Sequence, residues 1–140
     1  MVVYCTTAFH EQIFKLQKNN SYINILNDLC DYFSDKDISE LHITRDIISN
    51  NTGIYSLNKY RIANSSMNKG KSGSYRCISV CLPKENKLFL DTIYPKTGSD
   101  GFDNLTKEAY KDCAKRVNEA IKKNTYFEID IVNKNIKKLK

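Results

Sequence analysis

The sequence predicts an α+β fold with a small antiparallel sheet, an N-terminal αα-hairpin and a C-terminal helix. Apolar residues recur at helical spacing in the first quarter of the chain and again near residue 110. They alternate with polar residues across the middle of the chain, which is typical of strands. The helical and strand-like segments are segregated rather than interleaved, so the predicted order is β-α-α-β-β-β-α followed by a tail.

The N-terminal segment predicts a strand and two helices. Residues 2–7 are a short β-branched run. Thr7 is the expected cap of a helix over residues 8–18, and a second amphipathic helix is expected over residues 22–33. The short turn between them predicts an αα-hairpin. Residues 34–51 are polar with scattered apolar positions and are ambiguous.

Three strands are predicted in the middle of the chain. They cover residues 54–63, 75–82 and 87–94, with a hairpin turn over residues 83–86. Pro95 is expected to end the pairing. Strict alternation in the third strand predicts two sets of side chains on opposite faces: Leu88, Leu90 and Thr92 against Phe89, Asp91 and Ile93. Asp91 is expected to pair with a nearby lysine.

The C-terminal segment predicts one helix and a tail. Residues 106–123 carry apolar side chains at helical spacing, and residues 126–132 are β-rich enough for one edge strand. The lysine-rich end of the chain is expected to fray. Residues 1–123 are therefore the predicted single domain, and residues 124–140 a basic extension that is partly disordered or adds an edge strand.

Composition narrows the class of protein. No apolar run approaches the roughly 20 residues of a membrane helix, and no secretory signal is recognised, so a cytoplasmic protein without a membrane partner is expected. The five cysteines are odd in number and include no CxxC pair, which favours reduced thiols over a disulfide framework or zinc site. The carboxylates are scattered without metal-ligand spacing, so neither a metal nor a cofactor is expected. His10 and His42 lie away from the basic segment described next.

A basic segment in the middle of the chain predicts contact with phosphate. The net charge is +6, and residues 54–83 carry five bases and no acid. Within them, residues 69–76 combine Lys69, Lys71 and Arg76 with two glycines and two serines. Glycine allows the backbone to approach a phosphate closely. A solvated basic rim without function is the alternative interpretation.

Cations from neighbouring strands are expected to meet at one end of the sheet. If the strands pair in order, Arg61 converges with Lys69, Lys71 and Arg76, while Lys59 lies on the same side as Arg61. Lys96 leaves the next strand at a similar level. Such a cluster is costly through like-charge repulsion unless an anion neutralises it. Tyr94, close to Lys96 in sequence, is either a proton donor or an amphipathic filler.

Four segments resemble one family when they are taken in order. They are residues 59–63, 70–78, 88–96 and 104–106. Their basic strand, GKSG-x-x-R loop, IYPK strand end and Asn-Leu-Thr helix start resemble the RelE/HigB-type toxins of bacterial type II toxin–antitoxin modules, within the RelE/ParE superfamily. The resemblance extends over residues 59–123, and Ser74 stands where that family usually has glycine.

The resemblance implies a small metal-independent endoribonuclease that cuts mRNA, usually on the ribosome, and arrests translation and growth. It also implies a cognate antitoxin, often of helix-turn-helix type, through which alone the toxin meets operator DNA. By position, Arg61 matches the family's basic strand residue, Lys71 and Arg76 match its loop, and Tyr94 and Lys96 match its strand end.

Chemical roles follow if the RNA 2′-OH attacks the adjacent phosphorus. Arg76 and Lys71 are expected to stabilise the phosphorane oxygens. Lys69 or Lys96 is the candidate general base, and Tyr94 or Arg61 the group that assists the leaving 5′-oxygen. The expected RNA-binding residues are Lys59, Arg61, Lys69 and Lys71.

Two other functions stay open at the level of sequence. A gyrase-inhibiting toxin resembling ParE shares the scaffold but needs no RNA-cleaving cluster. A non-catalytic nucleic-acid-binding module would use the same cations without chemistry.

Overall fold

The computed structural model describes residues 1–42, 47–51, 55–66, 74–96 and 106–138. The helices are α1 (Thr7–Leu16), α2 (Ile25–Phe33), α3 (Ile38–His42) and α4 (Lys107–Lys123). The strands are β1 (Val2–Thr6), β2 (Ile47–Asn51), β3 (Tyr55–Ile62), β4 (Tyr75–Leu82), β5 (Lys87–Pro95), β6 (Tyr126–Asp130) and β7 (Asn135–Lys138). The α+β class is as predicted.

The sheet is larger than predicted and is not purely antiparallel. Its seven described strands follow the order β2-β3-β4-β5-β1-β6-β7. β1 pairs with β5 in parallel, and the other neighbouring pairs are antiparallel. The prediction of a small antiparallel sheet was wrong in this respect. Helices α1 to α3 carry the chain from β1 to the far side of the sheet, so the meander β2 to β5 returns beside β1 in the same direction.

Helices cover the two faces of the sheet. Helices α1, α2 and α3 pack on one face, which we call the α1 face, and α4 packs on the other, which we call the α4 face. The α1 face holds the larger core, which includes Phe9, Ile25, Leu29, Tyr60, Tyr75 and Leu90. The α4 face holds a smaller core of Leu57, Ile78, Val80, Phe89, Cys113 and Val117. These two clusters bury both faces of the sheet beneath the helices.

Side-chain caps fix where the two long helices begin. Thr6, rather than the predicted Thr7, caps α1, because its Oγ1 accepts a hydrogen bond from the Phe9 N–H at 3.3 Å. Thr106 caps α4 in the same way, with the Ala109 N–H donating at 3.1 Å. The second predicted helix begins late, at Ile25, after a separate 3₁₀ turn.

The C-terminal segment forms two strands where one edge strand was expected. β6 pairs with β1, whose second edge would otherwise be open, and β7 pairs with β6. Lys134, in the turn between them, donates to Asn27 Oδ1 at 2.8 Å and pairs with Asp31 at 2.8 Å. This turn therefore ties the hairpin to α2. No described helix combines the length and apolar character that crossing a membrane requires.

Candidate functional site

Three predicted site residues form a row across the sheet. Arg61 on β3 lies directly opposite Arg76 on β4, and Arg76 lies directly opposite Tyr94 on β5. Residues that oppose each other in antiparallel strands point to the same face. The row therefore lies on the α4 face, where β3 ends and β4 begins. We call these three residues the cationic row.

Exposure differs along the cationic row. Arg76 is 5% exposed and Tyr94 1% exposed, whereas Arg61 is open to solvent. Lys59 lies two residues before Arg61, and Lys96 lies two residues after Tyr94; both are half-buried. Two members of the row, Arg76 and Tyr94, are thus buried, and the cations around them are accessible.

Ser74 holds Arg76 at the start of β4. The Arg76 Nη1 donates to Ser74 Oγ at 2.6 Å and to the carbonyl of Tyr75 at 3.4 Å. The Ser74 carbonyl in turn accepts from the Lys96 N–H at 3.1 Å. The serine hydroxyl therefore supplies an acceptor for Arg76 that glycine lacks, while the backbone carbonyl of this position links the start of β4 to the end of β5.

A β-bulge at Asp91 places Tyr94 in the row. Ile78 pairs with Thr92 and Ser79 pairs with Leu90, so Asp91 is the extra residue of β5. Before the bulge, Leu90 points to the α1 face; after it, Thr92 contacts Cys113 on α4. The predicted strict alternation was wrong here. Without the bulge, Tyr94 would share the α1 face with Leu90, away from Arg76.

The bulge is held by a buried ionic and hydrogen-bond network. The Asp91 carboxylate has no exposed side-chain surface and accepts from Arg116 Nε at 3.0 and 3.1 Å and from Arg116 Nη2 at 2.7 Å. The hydroxyls of Thr6 and Thr92 each donate to it at 2.9 Å. The predicted partner was a lysine, and the correct one is Arg116. Sequence spacing carries no signal for this pair, because tertiary packing brings α4 and β5 together.

Burial strengthens the preference of Tyr94 for its neutral form. Desolvation raises its pKa to about 12, with a contribution from Tyr110, while the nearby charge of Arg76 acts in the opposite direction. The phenol is therefore neutral at physiological pH. It can donate a hydrogen bond or a proton, but it is not a base.

The structure does not describe every predicted site residue, and it places His10 away from the site, as expected. Lys69 and Lys71 lie outside the described residues. His10 lies on α1, on the opposite side of the sheet from the cationic row. Across the described ranges, no three His, Cys, Asp or Glu side chains are grouped so that they could hold a metal ion. The structure thus brings together Arg61, Arg76 and Tyr94, with Lys59 and Lys96 beside them.

Comparison with known proteins assigns no family. No protein-family model matches the chain, and a search of curated proteins finds no significant match.

Proposed function

We propose that this protein is the toxin of a type II toxin–antitoxin system and cleaves mRNA, with the cationic row as its active site. The observation that carries the proposal is the register that aligns Arg61, Arg76 and Tyr94 on one face. Like charges directly opposite each other destabilise a sheet. An RNA phosphate between Arg61 and Arg76 would relieve that repulsion.

The accessible cations of the site are placed to hold the RNA backbone. Arg61 is exposed on β3, and Lys59 and Lys96 are half-buried on either side of the row. Accessible cations on β3 and at the end of β5 suit the successive phosphates of one RNA strand. In this proposal they position the scissile phosphate over Arg76, and RNA must reach into the row to meet the two buried groups.

The chemistry divides between the buried and exposed groups. The RNA 2′-oxygen attacks the adjacent phosphorus, and the bond to the 5′-oxygen breaks. Arg76, together with Lys71, stabilises the charge that develops on the phosphorane oxygens, and a buried cation acts more strongly than one in water. Tyr94, a neutral phenol, donates a proton to the leaving 5′-oxygen, assisted by Arg61. The proton of the 2′-OH passes to Lys96 or Lys69, which accepts it as a neutral amine, so the lysine that acts as base is not also a cation that holds the backbone.

The partners in the proposal follow from the resemblance of residues 59–123 to RelE/HigB-type toxins. They are mRNA, the ribosome on which it is cut, and a cognate antitoxin, through which the chain meets operator DNA. A small helix-turn-helix protein encoded beside this chain would be the expected antitoxin.

The proposal is tested by controlled expression with mapping of mRNA 5′ ends. Wild type is compared with Arg61→Gln, Arg76→Ala and Lys84→Gln. Lys84 is the matched control, because it is an exposed cation in the turn at the opposite end of the β4–β5 hairpin. New 5′ ends and growth arrest are expected with wild type and Lys84→Gln, and their loss with both arginine variants.

Other results contradict the proposal. New mRNA 5′ ends that persist in Arg76→Ala would remove the cationic row from the chemistry. Growth arrest without mRNA cleavage, together with altered DNA supercoiling, would instead indicate a gyrase-inhibiting toxin. Unaffected growth with retained RNA binding would indicate a non-catalytic binding module.

A further inference from the structure

A second surface, with an exposed aromatic ring and several lysines, lies on the opposite side of the sheet from the cationic row. Its centre is the outer side of α1, where His10 and Phe14 are four residues apart and therefore neighbours on the helix. Lys18 follows at the same spacing, just after α1 ends. We call these three residues the α1 stripe. They line a groove of about 370 Å³ together with Glu11 and Lys15.

The α1 stripe carries an open aromatic platform. His10 stacks on Phe127 of β6, with ring centroids 4.3 Å apart and ring planes 12° apart. Phe14 lies next to His10 at 6.5 Å, tilted by 37°. Phe14 is 61% exposed, so the outer ring is open to solvent. The three rings thus form a row that is anchored on the sheet at Phe127 and open to solvent at Phe14.

Cations lie at both ends of this platform. The Lys18 Nζ lies 5.6 Å from the centre of the Phe14 ring. Lys15 is exposed on the same helix, and Lys138 lies opposite Phe127 in the β6–β7 register. None of these three lysines is ion-paired with a described residue. Glu11 is the one carboxylate among the described residues that line the groove.

We propose that the α1 stripe, with Phe127 and Lys138 beside it, binds single-stranded RNA. An exposed aromatic ring flanked by lysines is the arrangement that stacks a base and holds its phosphates. A base would stack on Phe14, and Lys15, Lys18 and Lys138 would contact the backbone. The excess of cations favours RNA over a protein partner, which would need only the apolar ring.

Binding is measured by fluorescence anisotropy with a labelled 2′-O-methyl oligonucleotide. This probe lacks the 2′-OH that cleavage requires, so binding is observed apart from chemistry. The protein carries Arg61→Gln throughout, which weakens the cationic row. In this background, Phe14→Ala is expected to reduce affinity about tenfold, the effect of losing one stacked base. Because Phe14 is exposed, its removal should leave the thermal melt unchanged.

Matched variants separate stacking from other contacts. Phe14→Trp is expected to retain binding, and Phe14→Leu to lose it as Phe14→Ala does. Val132→Ala, at an apolar residue that is 86% exposed on another surface, should change nothing. Lys18→Gln should make binding less sensitive to salt, since one phosphate contact is lost. Equal affinity of the parent and Phe14→Ala, or full binding by Phe14→Leu, would overturn the proposal.

The source of the RNA is found by crosslinking in cells. Crosslinks that depend on Phe14 and map to mRNA, or to ribosomal RNA, support the proposal and distinguish the two sources. RNA crosslinks that are unchanged by Phe14→Ala contradict it. The surface does not depend on the proposed cleavage: the anisotropy result stands even if mRNA is never cut.

Discussion

At the scale of single residues, Arg61 and Arg76 face each other across β3 and β4, and like charges directly opposite each other work against strand pairing. Their Cα atoms are direct partners, so the two guanidinium groups share one face. Cross-strand pairs contribute roughly 0.2–1 kcal/mol, and like charges act against folding. Such a pair favours the binding of an anion, and it does not favour the stability of the fold.

Replacing Arg61 is therefore expected to stabilise the protein while removing the proposed RNA cleavage. Arg61→Gln should raise the free energy of unfolding by about 0.5 kcal/mol. Added phosphate should raise the melting temperature of wild type more than that of the variant. Chemical and thermal denaturation measure both effects, with Lys84→Gln as the control for loss of one exposed charge. A destabilised Arg61→Gln would show that the pairing is not a cost.

At the scale of elements, the bulge in β5 determines which residues can form the site. Asp91 is the extra residue, and Arg116 on α4 holds it from the same face that carries the cationic row. The network thus joins the position of α4 to the face on which Tyr94 lies. This β-bulge lies three residues from a proposed catalytic side chain, a common location for such features.

Breaking the Asp91–Arg116 ion pair should lower both the free energy of unfolding and the proposed RNA cleavage. Arg116→Ala leaves the Asp91 charge buried without its cation, which costs 3–5 kcal/mol in fully buried pairs. Arg116 is 44% exposed, so we expect a smaller loss, about 2 kcal/mol, in urea denaturation. Lys115→Ala is the control on the same helix. In a double-mutant cycle, the variant that carries both Asp91→Asn and Arg116→Ala should lose less free energy of unfolding than the two single variants lose together. Additive losses would contradict the coupling.

The β6–β7 hairpin should lose stability in acid. The N–H and side-chain amide of Asn133, and then Lys137, hydrogen-bond the Asp130 carboxylate and lower its pKa from 3.8 to about 2. Because the folded form holds this proton less tightly, its stabilisation is present above pH 3.8 and is lost as the pH falls through about 2.

Asp130→Asn should therefore remove this part of the acid dependence. Thermal melts as a function of pH measure it. Asp35→Asn, at a carboxylate that is 82% exposed, should leave the profile as in wild type. An unchanged acid profile in Asp130→Asn would contradict the assignment.

At the scale of the whole molecule, local patterns were predictable and long-range pairings were not. The bounds of β4 match the prediction, and those of α4 differ from it by one residue, because each element carries its own period and breaker residues. The parallel pairing of β1 with β5 is set by the path of α1 to α3 across the sheet, which no local pattern encodes. The bulge at Asp91 is hidden because apolar residues occupy both alternating positions of this strand, so a change of face leaves no mark in the sequence.

The candidate site was predictable to a similar extent. The pairing of Arg61 with Arg76 agrees with the convergence of cations that the sequence predicted, whereas Tyr94 joins them through the bulge that was not predicted. The burial of Arg76 and its bond to Ser74 depend on packing, which the sequence does not display. The roles of Lys69 and Lys71 stay predictions.

The central claim is that the cationic row cleaves RNA, and single-turnover cleavage of mRNA by the purified protein on translating ribosomes tests it most directly. Arg61→Gln and Tyr94→Phe should each reduce the rate by about 10²-fold, the effect of losing one transition-state cation or one proton donor. Lys84→Gln should cleave at the wild-type rate, and all variants should remain folded in thermal melts. Wild-type rates in both Arg61→Gln and Tyr94→Phe would contradict the account.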